Sequence, residues 1–391
     1  MNPEETGSEE KQFMKQEQVQ YRFIERTLPS GEVVSLPVSH KPLHKSRIEE
    51  SIAREAGPKV LKMLESFVDV NHNSTQVFST TTLFNIEKIE KETTQTVINL
   101  KRINDIRRIN KFFEAVNENT LNGTLFFGCV ETLELRHRRL INKFPKIMNL
   151  LYVLGDYIFK RVLPKLPVTK RIYFALTGGR NRVISRAETL GRLYSCGFEV
   201  VHEETHGYLY YFVTRKFSKP AYDTSPSYGP VFGMTRTGKN GKPIKVYKFR
   251  TMYPFSEYLQ QYVYEKNNLD KGGKFKNDFR ITGFGRFMRK FWVDELPMIY
   301  NLLKGDMKLV GVRPLSTQYQ SLYPEDLLLT RHQYKPGLVP PYYADLPRNF
   351  EEIIASEKRY LESYAHSKWG TDIRYFFKAF YNIIFKKARS Q

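Results

Sequence analysis

The chain has 391 residues, 41% of them hydrophobic, and carries 62 lysines and arginines against 41 aspartates and glutamates, a net charge of +21. That length and apolar content allow two or three folded domains and exclude a disordered tail, while the charge selects anionic partners: nucleic acid, anionic lipid or phosphorylated substrates. Two cysteines, Cys129 and Cys196, without a CxxC pair argue against a disulfide framework or a thiolate zinc site, so a reducing, cytoplasmic setting is expected.

The first residues, MNPEETGSEEKQF, are polar and acidic and lack the pattern of a secretory signal. No run reaches about 18 uninterrupted apolar residues, so contact with a membrane is expected from one side only. Residues 1–45 read as a flexible lead-in with one short hairpin around Ser30 and Gly31. From Ser46 to about Val68 the apolar spacing is helical. Then come TQTVINL as a strand, a helix from about Asp105 to Val116, and TLFFGCV as a buried strand, an order that predicts a parallel sheet. A helix from Ser185 to Tyr194 and two pairing strands, FEVVHEE and YLYYFVTRK, complete a region, 46–218, expected to be one α/β domain. Its order resembles the second half of a Rossmann-like methyltransferase fold, but no glycine-rich cofactor loop lies upstream, so an accessory rather than catalytic domain is expected.

Within it, KIMNLLYVLGDYIFKRVLPKLPVTKR, residues 146–171, is apolar over about four turns and flanked by lysines and arginines. Both a core helix and an interfacial helix over 146–163, its apolar side among lipid headgroups, fit that pattern. The C-terminal DIRYFFKAFYNIIFKKAR is a second basic, aromatic, amphipathic stretch. KPAYDTSPSYGP, residues 219–230, marks a domain boundary.

Three motifs mislead. HEETH, residues 202–206, has the spacing of a helical zinc site, but its β-branched and aromatic flanks predict strand, turn and strand. GMTRTGKN, residues 233–240, nearly spells a P-loop, yet Asn240 stands at the magnesium-binding hydroxyl position and Asn240-Gly241 is a type I′ turn signal, predicting a hairpin. GFGRFM, residues 283–288, holds only a fragment of a dinucleotide fingerprint.

Between Gly229 and about Asp345 four blocks occur in order: YKFRTM, MRKFWVDELP, LKGDMKLVGVRP and KPGL. Region 229–391 thereby resembles the bacterial sugar transferase family, the catalytic domain of monotopic polyprenyl-phosphate phosphoglycosyl transferases. The resemblance implies a small mixed α/β domain with amphipathic membrane-surface helices. It implies transfer of a sugar 1-phosphate from a UDP-sugar to polyprenyl (undecaprenyl) phosphate, with release of UMP through a covalent aspartyl-phosphosugar, initiating exopolysaccharide, capsule or glycan synthesis. Such a displacement needs a nucleophile at the β-phosphate and neutralisation of the diphosphate. Asp294 matches the family nucleophile and Glu295 its dyad partner, and both are expected to hold Mg2+, which binds through one or two carboxylates plus substrate phosphates. Lys248, Arg289 and Arg313 match positions near the family's active site, and Arg250 joins them as a candidate phosphate-binding cation. The plainer readings are a helix N-terminal acidic pair for Asp294 and Glu295 and solvated surface charges for the cations. Pro297 predicts that the dyad sits at a helix start, where both carboxylates can face one pocket and helix-terminal amides help to hold phosphate.

The implied location is the cytoplasmic face of the bacterial inner membrane, peripheral or monotopic, with an anionic membrane surface as partner and no nucleic acid; a homo-oligomer is compatible with it. Three features depart from the family. No long apolar helix directly precedes GPVF, VPPYYADLP follows KPGL where a TGWAQVNGR-like segment is usual, and NDFRIT replaces DPRIT. Two alternatives remain open: a methyltransferase with a diverged cofactor loop, and a non-enzymatic basic protein that binds lipid or nucleic acid.

Overall fold

A computed structural model of the chain describes residues 21–27, 33–39, 46–141, 143, 145–222, 228–267 and 278–386. It is a mixed α/β protein in two compact units: Met1–Thr224 with Glu257–Glu265, and Ser225–Ser256 with Lys266–Gln391.

In the first unit, strands β1 (Tyr21–Thr27) and β2 (Val33–Ser39) pair antiparallel; Ser30 and Gly31 lie outside the described residues. The rest of the predicted lead-in lies outside the described residues. Ser46 caps the next helix: its hydroxyl accepts from Glu49 N and the Glu49 carboxylate accepts from Ser46 N, satisfying two amides that a helix start leaves open. The helix expected over 46–68 is two, α1 (Arg47–Ala56) and α2 (Pro58–Glu65). Gly57 at φ 95° breaks it, and Pro58, which lacks an amide hydrogen, starts the second.

The central sheet has the order β3 (Thr75–Phe78), β4 (Thr96–Arg102), β5 (Leu125–Val130), β7 (Leu209–Lys216), β6 (Phe198–His206). The first three are parallel, while β7 runs antiparallel to both of its neighbours. Every residue of β5 is buried, which explains its unbroken apolar run. Alternation along the strand splits the core: Phe127 faces Ile52, Leu64 and Phe67 of the α1–α2 region, while Phe126 packs edge to face on Phe113 and Phe212. Helices α3 (Ile109–Glu118), α4 (Leu133–Leu140), α5 (Lys146–Tyr157), α6 (Pro167–Thr177) and α7 (Arg186–Ser195) complete it, with a π-helical turn over Ile158–Val162 and a 3-10 turn over Leu163–Lys165 between α5 and α6. HEETH lies in strand β6, and no group of three or more His, Cys, Asp or Glu able to hold a metal occurs among the described residues. Residues 257–265, including most of α8 (Gln260–Asn267), belong to this unit because Tyr262, buried, donates its hydroxyl to Glu203 at 2.8 Å.

The second unit opens with the hairpin β8 (Val231–Thr237) and β9 (Pro243–Phe249). Asn240 and Gly241 both have positive φ (56° and 71°) and Lys242 N donates to Lys239 O, the backbone of a type I′ turn that excludes a P-loop. Helix α9 (Gly283–Lys290), a 3-10 turn over Val293–Glu295, and α10 (Met298–Lys304) follow. Strand β10 (Lys308–Val310) pairs parallel with β11 (Gly337–Val339), and α11 (Glu325–His332), α12 (Phe350–His366) and α13 (Lys368–Phe385) cover them through Val310, Leu327, Tyr360 and Tyr375. No helix among the described residues is long and apolar enough to cross a membrane.

The glycines of GVRP and KPGL have a shared physical reason. Gly337 N donates to Val312 O at 2.9 Å, and a Cβ on Gly337 would collide with the backbone of Gly311 and Val310. Only two glycines let these segments approach so closely. Replacing Gly337 with alanine is therefore expected to destabilise the second unit by about 1–3 kcal/mol, the usual cost of overpacking, read as a lowered midpoint in urea unfolding.

Candidate active site

Strand β9 presents alternate residues to opposite sides, so Val246 and Lys248 share one face and Tyr247 takes the other. Lys248 and Val246 line a narrow cleft with Met234 and Arg236 of β8, Glu295, Met298, Arg313 and Tyr342. At its mouth Lys248 Nζ lies 2.6 Å from Glu295 Oε1, both side chains mostly shielded from water. Helix α10 packs on β9 through Val246 and Met298 and is tied to it by one polar side chain. Asn301 of α10, fully buried, accepts from Tyr247 N at 3.1 Å and donates to Lys245 O at 2.7 Å, so its amide pairs with β9 as a further strand would.

The dyad occupies the 3-10 turn just ahead of α10 rather than the first turn of that seven-residue helix. Trp292, at φ 53°, turns the chain sharply between α9 and Val293, and its indole packs on Tyr343 with ring centres 5.4 Å apart. A left-handed tryptophan costs roughly 1 kcal/mol, supported here by packing. The Asp294 carboxyl is held above its ordinary range chiefly by burial, with the negative charge of Glu295 adding to the effect and Lys248 and Arg289 opposing it. No ion pair within 4 Å joins Asp294 to a described residue, whereas Glu295 is engaged by Lys248.

Arg289 is exposed on α9, yet donates from Nε to Thr251 Oγ1 at 2.9 Å; desolvation by the surrounding protein lowers its pKa and the charge of Asp294 acts against that. Arg313 enters the same cleft as Lys248 and Glu295, with Nη1 3.3 Å from Tyr342 Oη, and its backbone carbonyl accepts from buried Arg331, itself paired with Glu357. Arg250 goes elsewhere: its Nε donates to Gly229 O at 3.0 Å and its guanidinium lies over the Phe232 ring, outside the cleft lining.

The sequence reading missed Arg236, Tyr342 and Arg348. Arg236 hid inside the rejected P-loop look-alike, yet alternation on β8 places it beside Met234 in the cleft, where burial, and after it Arg313, disfavour its charge. Two cations confined together favour an anion between them. A wider cavity of about 590 Å³ shares Arg236, Arg313 and Tyr342 with the cleft and is walled by Tyr319, Tyr323, Arg348 and Phe350, a volume within the usual range for small-ligand pockets. Tyr342 belongs to VPPYYADLP, and Arg348 directly follows it.

As metal donors, Asp294 and Glu295 are two adjacent carboxylates without histidine or cysteine companions in a cluster of three among the described residues. That donor set fits a hard cation such as Mg2+, which keeps waters and takes phosphate oxygens, and does not fit zinc.

The sequence profile of the family described as Bacterial sugar transferase matches residues 221–386. This part of the chain belongs to the bacterial sugar transferase family. The chain is 36% identical over 143 residues to the galactosyl transferase CpsE of Streptococcus agalactiae, 35% of this chain and 31% of that protein. It is 39% identical over 125 residues to the undecaprenyl-phosphate galactose phosphotransferase of Salmonella typhimurium, 31% of this chain and 24% of the relative. Over 107 residues it is 42% identical to an uncharacterized sugar transferase, EpsL, of Bacillus subtilis, 27% of this chain and 46% of the other. The chain thus spans less than half the length of each of these curated relatives.

Asn301 joins α10 to β9 on one side of the cleft. Asn301→Ala leaves Tyr247 N and Lys245 O buried without that partner, an expected loss of about 1–3 kcal/mol, visible as a lower denaturation midpoint of the second unit.

Proposed function

We propose that the second unit transfers a sugar 1-phosphate from a UDP-sugar to undecaprenyl phosphate and releases UMP. What carries this reading is a half-buried carboxyl, Asp294, beside the Lys248–Glu295 pair and next to a cleft and cavity lined by arginine and tyrosine. The names of the Streptococcus and Salmonella relatives support it.

In the proposed sequence the donor lies with its uracil against the tyrosines of the wide cavity and its diphosphate between Arg236 and Arg313. A carboxylate oxygen of Asp294 attacks the β-phosphorus; the bond to the bridging oxygen breaks, and UMP leaves with that oxygen and its electron pair. A phosphate oxygen of undecaprenyl phosphate then attacks the same phosphorus, the acyl phosphate bond breaks, and the Asp294 carboxylate is regenerated. Lys248 holds Glu295 in place and offsets negative charge gathering at the dyad, and Arg289 does the same from α9. Asp294 and Glu295 would hold Mg2+, which supplies charge neutralisation on the phosphates when bound.

The lipid substrate suits the surface around the dyad. Phe284, Phe287 and Phe291 on and after α9, and Ile299 and Leu303 on α10, are exposed on either side of the turn that carries Asp294, a wetted apolar surface of the kind that marks lipid contact. Helix α13 likewise exposes Trp369, Ile373, Phe377 and Phe380 while burying Thr371, Tyr375 and Asn382. These faces support a peripheral or monotopic placement, at the cytoplasmic side of the bacterial inner membrane, for an enzyme that initiates exopolysaccharide, capsule or glycan synthesis. The first unit, with three parallel strands and an antiparallel β7 next to them, is proposed as a Rossmann-like accessory domain; its sequence has no glycine-rich loop to hold S-adenosylmethionine.

The test is UMP release from UDP-glucose and UDP-galactose with Mg2+ and undecaprenyl phosphate. Asp294→Asn is expected to lower the rate by about 10⁴-fold or more, as for other covalent nucleophiles, and mass spectrometry of quenched wild-type enzyme should find a sugar-phosphate adduct on the peptide containing Asp294. Wild-type rates from the variant would reject the reading.

The nucleophile must be ionised, so kcat/KM should fall as pH drops through the raised pKa of Asp294. Glu295→Gln removes a negative charge that raises this pKa and leaves Lys248 to favour the anion, so the acid limb of the residual activity should move to lower pH. A limb unchanged in position would assign it to another group.

A further inference from the structure

The segment from Lys146 to Thr177 in the first unit is built inside out. Along α5 the residues turned toward the protein are Asn149, Val153 and Asp156, and those turned to solvent are almost all apolar: Ile147 is 80% exposed, Leu150 70%, Leu151 65% and Leu154 52%. The polar contacts fasten the helix from within. Asn149 donates to the Ile141 carbonyl, and Asp156 accepts from Arg136 Nε at 2.6 Å and pairs with Lys160 at 2.8 Å. Helix α6 repeats the arrangement: Thr169 donates to Leu163 O and buried Tyr173 to Arg180 O, while Val168, Ile172 and Leu176 point outward one turn apart. A water-facing helix has the reverse pattern, with its apolar stripe toward the core.

The charges around this surface say what covers it. Between Pro145 and Arg180 there are seven lysines and arginines and one acid, Asp156; Lys160 pairs with that acid, and Arg161 and Lys165 pair with Glu188 inside the fold. Lys170, Arg171 and Arg180 are exposed among the outward apolar residues. A second copy of the chain would bring a like-charged face against this one, whereas an anionic bilayer offers hydrocarbon for the leucines and phosphate for the cations. A twelve-residue helix is about 18 Å long, short of the roughly 30 Å of a bilayer core, so it fits in the headgroup plane and not across it.

We propose that Lys146–Thr177 is a membrane-docking element that settles the first unit onto an anionic lipid surface, with α5 and the Val168, Ile172 and Leu176 edge of α6 among the headgroups. It stands on the first unit alone and does not depend on the reaction of the second.

The experiment places an environment-sensitive fluorophore on full-length L151C, L176C and, as a control on exposed α4 surface, E134C; native Cys129 and Cys196 are buried, so labelling is selective. Vesicles of phosphatidylcholine alone and of phosphatidylcholine with phosphatidylglycerol are then added. Labels at 151 and 176 should shift to the blue with the anionic vesicles while 134 stays in water. K170E/R171E in the labelled chain should weaken that shift at least about 20-fold in lipid concentration at low salt, from roughly fivefold per cation, with an unchanged melting curve because both side chains are exposed. Water-like emission at 151 and 176, whether the protein is bound to vesicles or not, overturns the proposal. So does a blue shift that needs no lipid and grows with protein concentration, which would assign the surface to a second copy.

Discussion

A single buried amide organises the second unit. Asn301 sits on α10 with no exposure to water, and its carboxamide meets the open edge of β9 through Tyr247 N and Lys245 O. Because those backbone groups would otherwise be buried unpaired, helix and strand can adopt only one register relative to each other. That register sets the distance between the turn ahead of α10 and residue 248 on β9, and so makes the Lys248–Glu295 contact. The Gly311–Gly337 approach performs the same task on the other wall, where it carries the Val310–Arg313 segment to the cleft.

On this frame the electrostatics oppose one another by design. Two neighbouring carboxylates in a partly desolvated turn repel, and burial alone would protonate one of them. Lys248 takes up Glu295, so the strain concentrates on Asp294, whose carboxyl is left without an ion-pair partner among the described residues and with a raised pKa. In the cleft, burial and the charge of Arg313 disfavour the Arg236 cation, whereas Tyr342 and Glu295 favour that of Arg313.

Each unit also spends polar side chains inward and apolar ones outward in selected helices. Asn149 and Asp156 anchor α5, and Thr371 and Asn382 anchor α13 through hydrogen bonds to Ser363 O and to the carbonyls of Tyr343 and Ala344. A helix fixed by hydrogen bonds rather than by its own leucines keeps those leucines for another surface. The amphipathic pattern read from the sequence at both places was sound in period but silent about direction, since periodicity tells which residues share a face and not which face looks at the core.

The sequence by itself singled out the candidate site residues of the second unit and determined several local structures. The four ordered blocks pointed to Asp294, Glu295, Lys248, Arg289 and Arg313 as candidates by their place in the motifs, and Asn240-Gly241 announced its hairpin because few other pairs accept positive φ at both positions. The break at Gly57 was lost within a strong helical period. Only the tertiary structure separated Lys248 from Arg250, two cations of one short motif, by sending the second to Gly229 O and Phe232. Only it brought Arg236, Tyr342 and Arg348 to the site, from segments up to 112 residues apart in the chain. Local propensity acts over a few residues and can be read along the chain, whereas a cleft is a meeting of distant segments whose partners are settled by packing.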